Sequence, residues 1–153
     1  MEQNQYVSDG KLIRKIVYKY DGKGNLTGDN SFTPEGKFDR KYTYKYDDHG
    51  NIIEDNCFDS DNNLMKKYTY KFDDAGNKVE NRRFSSGTNP DKTVTYKYDK
   101  KKNVIEEKVT SSDGTTVAYF YTYEFDDRDN WIRKTKFIEK RPDNILVREI
   151  EYY

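Results

Sequence analysis

The chain holds one imidazole, His49, and one thiol, Cys57, so a cysteine–histidine nucleophile would need both. His49 stands in the turn-type stretch Asp47-Asp48-His49-Gly50-Asn51. Cys57 follows about six strand residues beyond it, on the order of 20 Å at ~3.3 Å per residue. That separation argues against a dyad or a zinc site within one chain. His49 is read as a turn residue and Cys57 as a strand residue on a charged sheet face. A single cysteine also excludes an intrachain disulfide, and it leaves the redox compartment open.

Carboxylates are plentiful. Glu54, Glu80 and Glu106 could supply the paired acids of a glycosidase, which stand about 5 to 10 Å apart, but they recur every 26 residues. A group placed alike in every unit is better explained as a repeated structural hydrogen-bond acceptor than as one catalytic centre. Asp59-Ser60-Asp61-Asn62-Asn63 spaces oxygens like the start of a calcium loop, with Asp59, Asp61 and Asn63 as ligands. The full loop and its terminal bidentate Glu are missing, and turns favour Asp and Asn for backbone reasons alone. Gly22-Lys23-Gly24 lacks the helix that a phosphate-binding loop would open. No catalytic residue, metal or cofactor is therefore expected.

The residues best suited to recognition are aromatic: 15 Tyr, 8 Phe and Trp131. Tyr18, Tyr44, Tyr70 and Tyr96 recur in one column. Flat rings beside Asp, Asn and Glu suit either sugar stacking or a protein partner, and core packing is the plainer reading. Trp131 occupies a column otherwise filled by Leu26, Ile52, Lys78 and Val104. A column that admits Lys is partly wet, which favours Trp131 as a surface anchor.

These residues are positioned by a repeat of 26 residues. Tyr18-Lys19-Tyr20-Asp21 returns as Tyr44-Lys45-Tyr46-Asp47, Tyr70-Lys71-Phe72-Asp73, Tyr96-Lys97-Tyr98-Asp99 and, after 27, Tyr123-Glu124-Phe125-Asp126. An Asn follows each Asp at a fixed offset of four, and Phe32, Phe58, Phe84, Thr110 and Phe137 come seven residues later. Tyr152 closes the array in the Tyr18 column. Each unit carries two turn signals. One is Asp-x-x-Gly-Asn, a three-residue hairpin loop with a bulge; the other is typified by Thr33-Pro34-Glu35-Gly36. Lys102 and Asp129 fill the Gly column of two loops, and Ser85 to Lys92 is a longer connection, so these loops are expected to be differently shaped.

Between turns the pattern alternates with period two, as in Lys41-Tyr42-Thr43-Tyr44-Lys45-Tyr46. The reading is all-β: one antiparallel up-and-down meander of about twelve strands. Counting from Asp47 opposite Asn51 and Asp59 opposite Asn63 gives one row of Tyr46, Ile52 and Tyr70. It also places Tyr44, Glu54 and Tyr68 together, and Arg40, Phe58 and Leu64. The opposite face then carries Lys41, Thr43, Lys45, Asp55, Lys67 and Lys71, with the column Ile53, Val79, Ile105 and Ile132. On this count the Glu54 column supplies acceptors to the tyrosines. A long exposed aromatic face promotes association, so a curled sheet (spiral, barrel-like or folded on its aromatic face) is expected rather than a flat layer.

In bulk, the 153 residues are 33% hydrophobic and 37% charged, with 28 basic and 28 acidic side chains. Zero net charge removes the electrostatic case for nucleic acid or an anionic membrane surface as partner. No apolar run is long enough for a transmembrane helix or the core of a signal peptide. The polar start Met1-Glu2-Gln3-Asn4-Gln5 fits either a cytoplasmic protein or one whose secretion signal has been removed.

The unit Tyr-x-Tyr-Asp-x-x-Gly-Asn resembles the YD repeat of the Rhs family over roughly residues 6 to 153. The ending is similar to that of small Bacteroidota-type YD-repeat proteins, in Asn130-Trp131-Ile132 and Arg148-Glu149-Ile150-Glu151-Tyr152. The resemblance implies a spiralling β-sheet and an extracytoplasmic location, in proteins with no established activity, and the chain is expected not to be an enzyme. About six units are too few for the large toxin-enclosing shell of that family. The expected organisation is a polar lead, residues 1–5, and a single repeat domain, residues 6–153. Its expected task is binding a protein or glycan at the bacterial surface; the alternative is a shell segment with no ligand of its own. The end strands, near residues 2–7 and 145–153, would expose edges able to pair between chains.

Overall fold

The computed structural model describes residues 1–85 and 87–151. Twelve strands follow one another: β1 (Glu2–Tyr6), β2 (Leu12–Tyr20), β3 (Leu26–Phe32), β4 (Phe38–Tyr46), β5 (Ile52–Phe58), β6 (Leu64–Phe72), β7 (Lys78–Phe84), β8 (Lys92–Tyr98), β9 (Val104–Ser111), β10 (Thr116–Phe125), β11 (Trp131–Ile138) and β12 (Arg141–Val147). They lie in chain order in one antiparallel sheet. The alternating sequence and the hairpin turns produce the expected meander. Residues 2–5, expected as a lead outside the repeat, belong to β1, because Gln3 and Asn4 ladder with Ile16 and Lys15. Tyr152 and part of the Ser85–Lys92 connection lie outside the described residues.

The Asp-x-x-Gly-Asn turn is built by its first side chain. Asp47 Oδ1 accepts the backbone N–H groups of His49 and Asn51 at 3.0 and 2.8 Å, and Asp47 Oδ2 accepts Asn51 Nδ2 at 2.9 Å. Asp21, Asp59 and Asp73 repeat all three bonds. The motif thus spends its Asp and Asn on each other. The residue before the Asn is left-handed, with φ of 83° at Gly50. Contrary to expectation, the loops with Lys102 and Asp129 in that position keep the same shape. Both residues have φ of 63°, and their N–H groups bond Asp99 O and Asp126 O at 3.1 Å. The hydrogen bonds of the turn hold a backbone conformation that costs a non-glycine residue about 1–2 kcal/mol.

The bulge after each loop changes the register. Tyr46 faces Ile52 as counted, but Lys45 faces Glu54, so Ile53 is skipped. Val79, Ile105 and Ile132, the expected aliphatic column, are the skipped residues of the equivalent hairpins. Since side chains alternate, one extra residue moves everything beyond it to the other face. The true row is Tyr44, Asp55 and Tyr68, and Phe58 sits between Lys41 and Leu64. Glu54 therefore lies on the lysine face and Asp55 among the tyrosines, the reverse of the sequence count. Cys57, opposite Tyr42, also moves to the tyrosine face.

The unit of 27 residues obeys the same parity. Its β9–β10 hairpin runs Thr110 opposite Thr116 and Val109 opposite Val117 with no skip, whereas Ser31 and Arg40 in β3–β4 pair after a shift. One inserted residue and one missing bulge each flip the alternation, so together they restore it. Tyr119, Tyr121 and Tyr123 return to the tyrosine face.

The sheet is open. β1 and β12 do not pair, and each strand touches only its chain neighbours. Val94, 6% exposed, is the sole buried apolar residue among those described. Barrel closure and folding on the aromatic face are thus not found: a second layer would have buried the tyrosines fully, and none of the described ones is buried.

Candidate interaction surface: the tyrosine face

On this face one set of tyrosines reaches diagonally back to an oxygen on the preceding strand, with Tyr121 standing in for Tyr123 in the 27-residue unit because β9–β10 lacks the bulge. Tyr44 donates to Asp29 Oδ2 at 3.2 Å, Tyr70 to Asp55 Oδ2 at 2.6 Å and Tyr121 to Glu107 Oε2 at 3.0 Å. In the first unit Tyr18 donates to Gln3 Oε1 at 2.7 Å. The fourth unit departs from the ladder. Asn81 occupies the acceptor column, and its Oδ1 is buried without a partner. Burial, then the neighbouring carboxylates, pushes the phenols of Tyr44, Tyr70 and Tyr121 well above the ordinary tyrosine value. Burial likewise raises Asp29, against the opposing effects of Tyr44 and Arg14. The phenols therefore stay protonated as donors to these side-chain oxygens.

A second set of tyrosines bonds a backbone carbonyl just past a turn. Tyr46 donates to Leu26 O at 2.8 Å, Tyr98 to Lys78 O at 2.7 Å and Tyr123 to Val104 O at 3.0 Å. At the end of the array Arg148 Nε takes over this task, donating to Trp131 O. Its guanidinium lies 4.0 Å from the centre of the Trp131 ring. Lys78 Nζ stands 5.4 Å from the Tyr70 ring and 5.8 Å from that of Tyr96, and Lys134 stands 4.6 Å from the Tyr121 ring. The rings are thus a cation-dressed aromatic sheet, half-buried, with Trp131 likewise half-buried at one end.

The other face is an ion-pair lattice. Glu54 bonds Lys45 at 2.9 Å and Lys67 at 2.7 Å; Glu80 bonds Lys71 and Arg82; Glu106 bonds Lys97 at 2.8 Å. Burial alone would raise the Glu54 carboxyl, but Lys45, Lys67 and Asn56 outweigh it and bring it to about 2. These glutamates hold neighbouring strands together, each pair contributing roughly 0–1 kcal/mol.

The structure therefore brings Tyr18, Tyr44, Tyr70 and Tyr96 onto one face, in one column. It also adds Gln3, Asp29, Asn81 and Glu107, which sequence reasoning passed over, and Asp55, which the sequence count had put on the lysine face. A column of oxygen-bearing side chains spaced by 26 was the available signal. Asp59 and Asn63 bond each other, and Asp61 donates its backbone N–H to Asp59, so the calcium-like spacing is that of the turn. His49 is exposed at a hairpin tip. Among the described residues no group of three His, Cys, Asp or Glu side chains is placed to hold a metal. Among the described residues no helix is long and apolar enough to cross a membrane.

The whole sheet has counterparts among solved structures. A chain of the Photorhabdus luminescens Tc holotoxin pore matches with a TM-score of 0.50 at 17% identity, over 95% of this chain and 9% of that one. A porin-like protein from Bacteroides uniformis matches with a TM-score of 0.50 at 11% identity, over 96% of this chain and 89% of that one. The likeness is one of fold. The chain spans 9% of the length of the Tc chain it matches. The sequence matches no protein-family model and no curated protein.

Proposed function

We propose that the chain is a non-enzymatic, extracytoplasmic β-repeat module that acts by binding a protein or a glycan through its tyrosine face. The observation that carries this reading is a twelve-stranded single layer whose aromatic face has no second layer over it, while its hydroxyls are already bonded internally. Such a face offers flat, pre-ordered rings, and ordering them costs little more on binding. The location rests on the fold likeness to a toxin chain and to a porin-like protein, together with the YD-type repeat. Absence of catalysis rests on repetition: each acidic column makes the same structural bond in successive units.

A glycan array and a peptide array probed with wild-type chain and with Trp131→Ala test the proposal. Expected is retention of the wild type and its loss in the variant, with unchanged far-ultraviolet circular dichroism. A wild type retained by neither array overturns the binding reading. The shell-segment reading then takes its place, favoured by the match of nearly this whole chain to a small part of a longer Tc chain.

A further inference from the structure

The two outer edges of the described sheet belong to strands of different type. β1 is an odd strand: Gln3 accepts from Tyr18 as Asp29 accepts from Tyr44, and Tyr6 faces Leu12 as Phe32 faces Phe38. β12 is an even strand: Pro142 faces Phe137 as Phe38 faces Phe32, and Leu146 faces Lys134 as Tyr42 faces Asp29. Inside the sheet an even strand is always followed by an odd one. The outer edge of β12 is thus shaped like those that receive β3 and β5, and the outer edge of β1 like those that β3 and β5 present in return.

We infer that β12 of one copy pairs with β1 of a second copy, in the register of β2–β3 and β4–β5. Lys15, Ile16 and Val17 face Phe32, Ser31 and Asn30 in the internal junction. The same phase sets Ile145 opposite Tyr6, Leu146 opposite Gln5 and Val147 opposite Asn4. The backbone polarity agrees. Arg148 N donates inward to Ile132 O, so alternation points the Ile145 and Val147 amides outward; Met1 O accepts from Tyr18 N, and Val7 N donates to Lys11 O, so Asn4 and Tyr6 point outward. Outward groups meet outward groups, and the two pairs supply about four backbone hydrogen bonds.

The side chains agree as well. Ile145, Leu146 and Val147 are 49%, 52% and 65% exposed, and Tyr6 is 59% exposed. Pairing covers Ile145 with Tyr6 on one face and Leu146 with the Gln5 stem on the other. Continued by one row beyond Gln3, the register would bring Glu149 against Glu2, so the junction is short and the association weak. Because two different edges meet, each pairing leaves one edge of each kind free, and chains add head to tail. This pairing is independent of what the tyrosine face binds.

Sedimentation equilibrium over a concentration series tests it. For the wild type the weight-average mass climbs past twice the monomer without levelling. Val147→Pro and Asn4→Pro each remove an outward amide while leaving the inner ladder intact, and each alone is expected to stay monomeric. Mixed, they form a one-to-one dimer and stop, since each retains the edge that the other lacks. A monomeric wild type throughout, self-association of either single variant, or a monomeric mixture overturns the proposal. Should a proline variant lose β structure by circular dichroism, Ile145→Lys serves instead. It disperses the chains, and adding Tyr6→Glu restores growth by placing opposite charges face to face.

Discussion

Tyr70 donates its phenol to the carboxylate of Asp55 across 2.6 Å, one strand back and 15 residues earlier. The contact exists because the bulge at Ile53 moved Asp55 onto the tyrosine face. It joins strands β5 and β6 on the side where no second layer packs, and Tyr44 with Asp29 and Tyr121 with Glu107 repeat it.

Removing that hydroxyl tests its weight. Tyr70→Phe is expected to lower stability by about 1–2 kcal/mol, the range for a hydrogen bond to a charged acceptor that is partly open to water. Urea unfolding followed by circular dichroism measures it. A change within error would show that Asp55 is satisfied by solvent.

The converse substitution is offered by Phe72. It stands where Tyr46 and Tyr98 stand in their units, and those two bond the carbonyls of Leu26 and Lys78. Phe72→Tyr places a hydroxyl near the carbonyl of Ile52, twenty residues back as in the other two units. A gain of about 0.5–1 kcal/mol is expected, with no gain overturning the equivalence of the units.

Alkali should loosen the sheet. Burial and the carboxylates hold the phenols of Tyr44, Tyr70 and Tyr121 above the ordinary tyrosine value of ~10. Above that pH the unfolded chain has released protons that the folded chain retains, so stability is full below pH ~10 and falls as pH rises through the folded values. Tyrosinate absorbance against pH should show a late group of phenols ionising together with unfolding. One transition at the ordinary value would contradict this.

Acid acts through the other face. With its carboxyl at about 2, Glu54 contributes stability above the unfolded glutamate value of ~4.3 and loses it as pH falls through about 2. Carboxyl carbon shifts followed by NMR should place Glu54 far below exposed glutamates. Glu54→Gln should flatten the decline of the urea midpoint over the same window.

Lys102 carries φ of 63° in a turn position where Gly24, Gly50 and Gly76 serve elsewhere. Lys102→Gly relieves that backbone conformation and is expected to stabilise by about 0.5–1 kcal/mol, net of the entropy glycine adds to the unfolded chain. Thermal unfolding measures the shift. A loss would mean that the exposed bond from Lys102 Nζ to Ala75 O, at 3.4 Å, outweighs the strain.

Much of the fold is legible because it is written locally. Asp47 and Asn51 specify their turn through bonds spanning four residues, and Tyr42, Tyr44 and Tyr46 share a face through simple alternation. The candidate site was legible only in part. The tyrosine column could be read directly, whereas its acceptors were assigned to Glu54 when they are Asp29, Asp55 and Glu107. The sequence announces a bulge in the loop type, but the face on which Glu54 falls depends on whether the skipped residue is counted before or after it.

The sequence by itself determined the repeat, the strand order and the turn at each end of a strand, since each depends on residues close along the chain. The tertiary structure decided which carboxylates meet phenols and which meet lysines, because one skipped residue per hairpin inverts every side chain beyond it. It also decided that the sheet stays open, because closure depends on an edge of β1 meeting an edge of β12, more than a hundred residues away. No local pattern encodes that distance.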